Sequence, residues 1–169
     1  VLYELVTGTR IDEVAGEDTR LQRENFVPVI NGRELPPTTA NWARLRNGDY
    51  IRGKSAPSKC DRTNAHWGSK DMWFLVDDSN PRNFATAWIQ WEMTHPCTVM
   101  QRATWPAFSP SGNHVPFTTD MIHRDFKVII GVACDEEAKG VRFHDFRATL
   151  ATKLVDDGQP DAVIQAILR

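Results

Sequence analysis

The chain has 169 residues, of which 41 % are hydrophobic and 25 % are charged, which predicts one globular domain. No apolar run approaches the ~20 residues of a membrane-spanning helix and no signal peptide opens the sequence, so we expect no membrane partner. The three cysteines are an odd number without paired spacing, which indicates reduced thiols and an intracellular location.

The charge is unevenly distributed along the chain. The net charge of −2 is low for a nucleic-acid-binding protein. Residues 44–70 nevertheless contain seven basic and two acidic side chains, so this segment carries +5 and the remainder −7. The segment can lie along phosphates, or it can be a solvated loop. Its basic residues are Arg44, Arg46, Arg52, Lys54, Lys59, Arg62 and Lys70.

The N-terminal part predicts short elements. Residues 1–6 resemble the last turns of an apolar helix that Gly8 ends, so we expect the chain to be a piece of a longer protein. Residues 11–15 form a turn of helix. Residues 26–30 predict a strand, and Pro28 indicates an edge rather than a central position.

A long β-hairpin is the clearest β signal. Residues 50–53 and 72–76 predict strands on either side of a polar tip at 55–70, and a tip of this length is unusual unless it has a function. Residues 35–49 are mostly irregular, with a helical turn that Thr39 can cap.

The C-terminal half predicts mainly helices. Thr118 or Thr119 caps the second of them, residues 131–140 form a linker, and Pro160 starts the last. The predicted helices span residues 83–93, 119–130, 144–157 and 161–168. Together with the hairpin, they predict a mixed, mainly α fold with a small antiparallel β-sheet or hairpin.

The six tryptophans have two possible uses. Stacking on exposed bases or sugars is one. For Trp73, Trp88 and Trp91 we expect packing in the core.

A His-x-x-Arg sequence begins one of the predicted helices. His144 and Arg147 lie three residues apart and share a helix face, where they can grip one phosphate. Phe146, Leu150 and Leu154 form the stripe that would pack on a core. A helix that carries a histidine and a solvated arginine by chance is the alternative.

Three motifs together resemble the tyrosine recombinase (phage-integrase) family. Residues 144–168 resemble its HxxR box, residues 7–14 (TGTRIDEV) its T-G-x-R-x-x-E-L box, and residues 58–61 (SKCD) its S-K-x-D hairpin. The motifs occur in the family order. The resemblance is good over 1–16, 50–76 and 106–168 and vague elsewhere, and it implies an integrase-like catalytic core.

The resemblance implies DNA cleavage and rejoining without a metal or other cofactor. Arg10 and Arg147 would clamp the phosphate, His144 would be a third donor or a proton shuttle, and Lys59 would protonate the leaving oxygen. Glu13 would hold the Arg10 guanidinium.

Other basic side chains of the hairpin have supporting or rival roles. Lys54 and Lys70 are rivals of Lys59. Arg52, Lys54 and Arg62 are expected to bind DNA.

The family nucleophile is a tyrosine that follows the HxxR box, and no residue here matches it. Tyr3 and Tyr50 both precede His144. We therefore expect residues 1–169 to be a single catalytic domain incomplete at both ends, which polarises a phosphate but does not cleave alone.

Two other interpretations stay open. Residues 148–168 can be a helix-turn-helix of a non-catalytic DNA-binding module, although the last helix is apolar rather than base-reading. A recombinase-derived scaffold is the other. A zinc site from Cys60, His66, His95 and Cys97 has no usual ligand spacing, so no metal is expected. The expected partners are double-stranded DNA and other recombinase protomers.

Overall fold

The fold combines helices with one small sheet. The computed structural model describes residues 3, 7, 9–15, 21–55, 70–133, 140–142 and 144–168. Its elements are α1 (Ile11–Ala15), a 3₁₀ turn (Arg23–Asn25), β1 (Val27–Ile30), β2 (Arg33–Glu34), α2 (Thr39–Trp42), β3 (Tyr50–Lys54), β4 (Asp71–Leu75), α3 (Phe84–Thr94), α4 (Val99–Thr104), α5 (Thr119–Ala133), α6 (Asp145–Asp156) and α7 (Asp161–Leu168). The predicted mixed, mainly α fold with a small antiparallel sheet is confirmed.

The sheet is antiparallel, with the strand order β2-β1-β3-β4. Its β3–β4 pair is the predicted hairpin, in a register that places Ile51 opposite Phe74 and Lys54 opposite Asp71. Most of the predicted hairpin tip, residues 56–69, lies outside the described residues.

The prediction of an edge position for β1 was wrong, because β1 lies between β2 and β3. Proline is tolerated here because the Pro28 carbonyl accepts from Leu35 N (2.9 Å) on the β2 side. The N and C=O of one strand residue point to the same side, so the missing N–H also faces β2 rather than β3. The two-residue β2 spans only Arg33–Glu34, so Pro28 interrupts no long ladder.

The inner face of the sheet packs on α3. Phe26, Ile51, Phe74 and Trp88 are all buried, and the Phe26 and Trp88 rings are 4.3 Å apart between centroids. The expectation that Trp73 lies in the core was wrong, since 56 % of it is exposed. Side chains alternate along a strand, so burial of Phe74 turns Trp73 to the outer face.

A carboxylate lies on the buried stripe of α3. Phe84, Trp88 and Glu92 follow at intervals of four residues, and all three are buried. Asn83 caps the helix by accepting from Thr86 N (2.9 Å). Glu92 is only 1 % exposed, so it requires partners inside the protein.

Two buried arginines supply those partners. Arg23 Nη2 donates to Glu92 Oε2 (2.7 Å), and Arg102 Nη1 and Nη2 donate to Oε2 (2.7 Å) and Oε1 (3.0 Å). Arg23 and Arg102 are 1 % and 2 % exposed. The three side chains form a buried ionic triad that joins the 3₁₀ turn, α3 and α4.

Backbone carbonyls supply further partners to the two arginines of the triad, whose Nε atoms are buried without a hydrogen-bond partner among the described residues. Arg23 donates to His95 O (2.7 Å) and Gly112 O (3.3 Å), and Arg102 donates to the Arg23 carbonyl (2.9 Å). Gly112 has φ +64°, and a Cβ there would lie 2.4 Å from the His95 ring. Only glycine therefore fits this turn next to the triad.

The C-terminal helices follow their sequence signals. Thr118 accepts from Met121 N (3.1 Å) at the start of α5. The helix continues to Ala133, three residues into the predicted linker, because one interior glycine costs a helix only about 1 kcal/mol. Gly158, with φ +70°, ends α6, and the Pro160 carbonyl accepts from Val163 N (2.8 Å) as α7 begins.

We predict that Glu92→Gln lowers the free energy of unfolding by about 3–5 kcal/mol, because two buried guanidinium groups lose the carboxylate that they share while the side-chain volume stays the same. Urea unfolding measures the change. The matched control is Asp157→Asn, which removes the partner of Lys153 in an exposed i,i+4 pair. This control is expected to change stability by less than about 0.5 kcal/mol. If both substitutions lowered the free energy of unfolding equally, the triad would stabilise the fold no more than an exposed ion pair does.

Candidate functional site

Hydroxyl groups hold the segment that leads to Arg10. Thr7 is buried, and its hydroxyl donates to the Tyr3 carbonyl (2.7 Å). That bond uses the single Thr7 hydrogen, so the Thr9 hydroxyl donates to Thr7 Oγ1 (2.6 Å), which also accepts from Thr9 N (3.3 Å). These bonds set the direction of the chain just before Arg10, which is half-buried at the start of α1.

His144 and Arg147 lie at the beginning of α6, as predicted. His144 is exposed, Arg147 is half-buried, and Arg147 N donates to the His144 carbonyl (3.1 Å). The Asp145 carboxylate accepts from Arg142 N (2.6 Å) and stabilises this turn. The two candidate residues therefore follow each other on one helical turn.

α6 docks on α5 through the predicted stripe. The Phe146 ring meets the Phe126 ring edge to face, with centroids 5.4 Å apart. Leu150 and Leu154 are half-buried, and no residue of α6 is fully buried. The stripe thus makes a shallow contact rather than entering the main core.

α5 is a common support for two of the motifs. α1, which directly follows Arg10, packs on α5, and α6, which carries Arg147, packs on α5 as well. The two elements lie nearly the whole sequence apart. That the guanidinium groups of Arg10 and Arg147 meet at one anion stays a prediction.

A single groove is lined by residues from all three motif-bearing parts of the chain. Thr7 comes from the first box, Lys70 from the base of the hairpin and Ile167 from the helix pair that begins with the HxxR box. The remaining lining residues are Asp71, Met72, Trp73, Phe74, Leu75, Asn83, Phe84 and Ala85.

The candidate lysines are placed differently. Lys59 lies outside the described residues, and so does Arg62. Lys70 is half-buried in the groove, and its carbonyl accepts from Ser55 N (2.8 Å) where the hairpin opens. Lys54 is exposed at the end of β3. The choice of Lys59 over Lys54 and Lys70 stays a prediction.

Arg52 is held by two carboxylates on the outer face of the sheet. Its Nη2 donates to Glu34 Oε2 (3.0 Å), its Nε donates to Oε1, and its Nη1 lies 3.4 Å from Asp71 Oδ1. The hydrogen bonds from Arg52 lower the pKa of Glu34, against a smaller opposing effect of desolvation. The same bonds to Glu34 raise the pKa of Arg52. A DNA phosphate at Arg52 would therefore compete with two carboxylates.

Glu13 and the candidate zinc ligands lie partly outside the described residues. Glu13 lies in α1, and its side chain is outside the described residues. Cys60 and His66 are also outside them, while Arg102 Nη1 lies 3.7 Å from Cys97 Sγ. Within the described ranges, no group of three His, Cys, Asp or Glu residues is placed to hold a metal ion. No helix in that part of the chain is long and apolar enough to cross a membrane.

Sequence reasoning missed the buried triad of Arg23, Glu92 and Arg102. A signal was present, since Glu92 occupies the third position of the stripe begun by Phe84 and Trp88. A charge at such a position indicates a buried partner of opposite charge.

Comparison with known proteins yields no match for this chain. No protein-family model matches the sequence, and no curated protein or solved structure is significantly similar to it.

We predict that the Arg52–Glu34 pair makes a pH-dependent contribution to the free energy of unfolding. The folded-state pKa of Glu34 is below its ordinary value of 4.5, so the stabilisation is present above pH 4.5 and is lost as the pH falls through the folded-state pKa. Glu34→Gln is therefore expected to be less stable than the parent near pH 7, by at most about 1 kcal/mol because the pair is screened by solvent.

Urea midpoints of the two proteins measure this difference, and they should converge in acid. Asp157→Asn, which also removes one negative charge from an exposed pair, corrects for the general change in surface charge. A difference that grows as the pH is lowered would have the wrong sign for this pair.

Proposed function

We propose that this chain belongs to a DNA strand-exchange enzyme of the tyrosine recombinase type, in which it binds and polarises one DNA phosphate. Arg10, Arg147 and His144 are the phosphate ligands, and Lys59 is the proton donor. The main support for the proposal is that the three motif-bearing segments each contribute a described residue to one groove, although they lie far apart in sequence. In addition, α1 and α6 both contact α5.

The proposed chemistry follows from the residue types. Two guanidinium groups bind phosphate oxygens through planar, charge-assisted hydrogen bonds, and they neutralise the charge that develops when a fifth oxygen attacks. An exposed imidazole supplies a third hydrogen-bond donor. An ammonium group protonates the departing 5′ oxygen. Each well-aimed donor contributes ~10²–10³ in rate.

The proposal assigns no nucleophile within the 169 residues. Tyr3 is 3 % exposed and packs against Phe26, Phe84 and other rings of the core. Tyr50 lies on the outer sheet face beside Trp73. Both placements support a role in packing, so the attacking tyrosine is proposed to be supplied by another part of the gene product.

The proposed partners are double-stranded DNA and other protomers on the same DNA. A DNA substrate implies an intracellular location. The alternative is a non-catalytic DNA-binding or scaffolding module. The apolar α7, with Ile167 in the groove beside Thr7, speaks against its use as a base-reading helix.

We predict that Arg10→Ala and Arg147→Ala each weaken binding of a duplex DNA by about tenfold at low salt, because each removes one charge-assisted phosphate contact. If both side chains grip the same phosphate, the double variant loses much less than the product of the single effects. Fluorescence anisotropy at several salt concentrations measures both quantities. For the double variant, the slope of log K against log[salt] should fall by about 0.9 if the two arginines share one phosphate. Two separate phosphates would lower the slope by about twice that amount.

Arg124→Ala is the matched control for this experiment. Arg124 lies on α5 and is 70 % exposed, with a neighbouring carboxylate as its ion-pair partner. It should change DNA affinity by less than about twofold. Equal losses for Arg124, Arg10 and Arg147 would show general attraction to DNA instead of a shared phosphate site.

Strand cleavage is tested on a gene product that extends past Arg169 and contains a further tyrosine. A nicked suicide substrate should trap a covalent protein–DNA adduct, and Arg147→Ala should abolish it. DNA binding without any adduct would support the scaffold alternative.

A further inference from the structure

The sequence contains two Asn-Gly pairs, and both lie in exposed turns. Asn31 and Gly32 connect β1 to β2, and Asn47 and Gly48 precede β3. An asparagine side chain is most easily attacked by the backbone nitrogen of the next residue when that residue is glycine, which has no side chain to hinder the approach. The two pairs share this sequence but differ in their hydrogen bonds.

The peptide unit between Asn31 and Gly32 has no hydrogen-bond partner among the described residues. Both residues have positive φ, +52° and +73°, as a two-residue type I′ turn between antiparallel strands requires. Asn31 N donates to Asp49 Oδ1 (3.3 Å) at the start of the turn. Within the described ranges, no hydrogen bond involves the Gly32 N–H, the Asn31 carbonyl or the Asn31 side-chain amide. This peptide unit can therefore rotate without breaking a bond to the rest of the fold.

Rotation of the peptide unit brings the reacting atoms together. It converts the type I′ turn into a type II′ turn, in which the first central residue keeps a positive φ and takes a ψ of about −120°. At this ψ the Gly32 nitrogen lies on the same side as the Asn31 side chain, as in a five-membered imide ring. Gly32 accepts the change in the sign of its φ because it has no Cβ.

Asn47 and Gly48 are held by two hydrogen bonds. Gly48 N donates to the Val76 carbonyl (3.1 Å), and Asn47 Oδ1 accepts from Asp78 N (2.7 Å). The Gly48 nitrogen must leave Val76 before it can attack, and the Asn47 amide must leave Asp78. The fold therefore protects this second pair.

We propose that Asn31 is a site of spontaneous modification, which converts it into isoaspartate or aspartate. The Gly32 nitrogen loses its proton and bonds to Asn31 Cγ, the Cγ–Nδ2 bond breaks, and ammonia leaves with that proton. Water then adds to one of the two imide carbonyls and opens the ring. Cleavage of the new bond to Cγ gives aspartate, whereas cleavage of the original main-chain bond gives isoaspartate. The reaction consumes only water.

Isoaspartate changes the turn as well as its charge. It adds one carbon to the main chain between Ile30 and Arg33, which pair directly across the two-residue turn. β2 then loses this register. Glu34, the next residue of β2, is the carboxylate that accepts two hydrogen bonds from Arg52. We therefore expect the modification to weaken the Arg52–Glu34 pair.

The test incubates the folded 169-residue chain in mildly alkaline buffer and follows both asparagines by mass spectrometry of their peptides. Asn31 should convert about tenfold faster than Asn47, because the bonds at Gly48 and Asp78 add about 1–2 kcal/mol to the barrier. In urea the two should convert at nearly equal rates, since glycine follows both. Both rates should rise with pH, because the attacking nitrogen must lose its proton. Circular dichroism checks that the chain stays folded in the buffer.

Asn31→Gly is the matched variant. Glycine also adopts the positive φ of the first turn position, so the turn is kept while the reactive amide is removed. The isoaspartate content of the incubated chain should fall severalfold. The proposal is overturned by equal rates at Asn31 and Asn47 in the folded chain, or by conversion of Asn31 in urea alone. An isoaspartate content that Asn31→Gly leaves unchanged would also overturn it. No DNA is present, so these results do not depend on the proposed recombinase function.

Discussion

The buried triad of Arg23, Glu92 and Arg102 is the constraint on which the rest of the fold depends. Each residue belongs to a different segment, and none can keep its charge inside the protein without the others. The backbone carbonyls that accept from Arg23 belong to His95, after α3, and to Gly112, in the loop after α4. A single ionic cluster therefore ties the start of β1, the end of α3, α4 and the following loop into one body.

The triad also sets where the sheet lies. Arg102 donates to the Arg23 carbonyl at the entrance to β1, and Glu92 lies on the same stripe of α3 as Phe84 and Trp88. The inner face of the sheet must pack against that stripe. Asn83, at the start of α3, then bonds to the end of β4. The hairpin base is thus held at a defined place relative to α3.

The helices α1, α5 and α6 pack without a link to the buried triad among the described residues. α5 contacts α1, and it contacts α6 through the edge-to-face rings of Phe126 and Phe146. A phosphate site assembled there would depend on how these three helices pack.

Local signals in the sequence determined most of the secondary structure. The runs at 50–53 and 72–76 predicted the hairpin, Thr118 predicted the start of α5, and Pro160 predicted the start of α7. The helical turn at 39–42 was predicted with Thr39 as its cap, whereas Thr38 caps it. Such signals involve residues within a few positions of one another, so they are legible without the fold. The three motifs and their order are likewise properties of the sequence alone.

Only the tertiary structure decided which side each element presents. Pro28 is compatible with a central strand because its missing N–H faces the short β2, and Trp73 is exposed because Phe74 faces the core. The partners of Glu92 lie 69 and 10 positions away, and no local pattern specifies them. The meeting of Thr7, Lys70 and Ile167 at one groove is also a matter of packing. Contacts between distant residues depend on the whole chain minimising buried, unpaired polar groups, which short stretches of sequence do not encode.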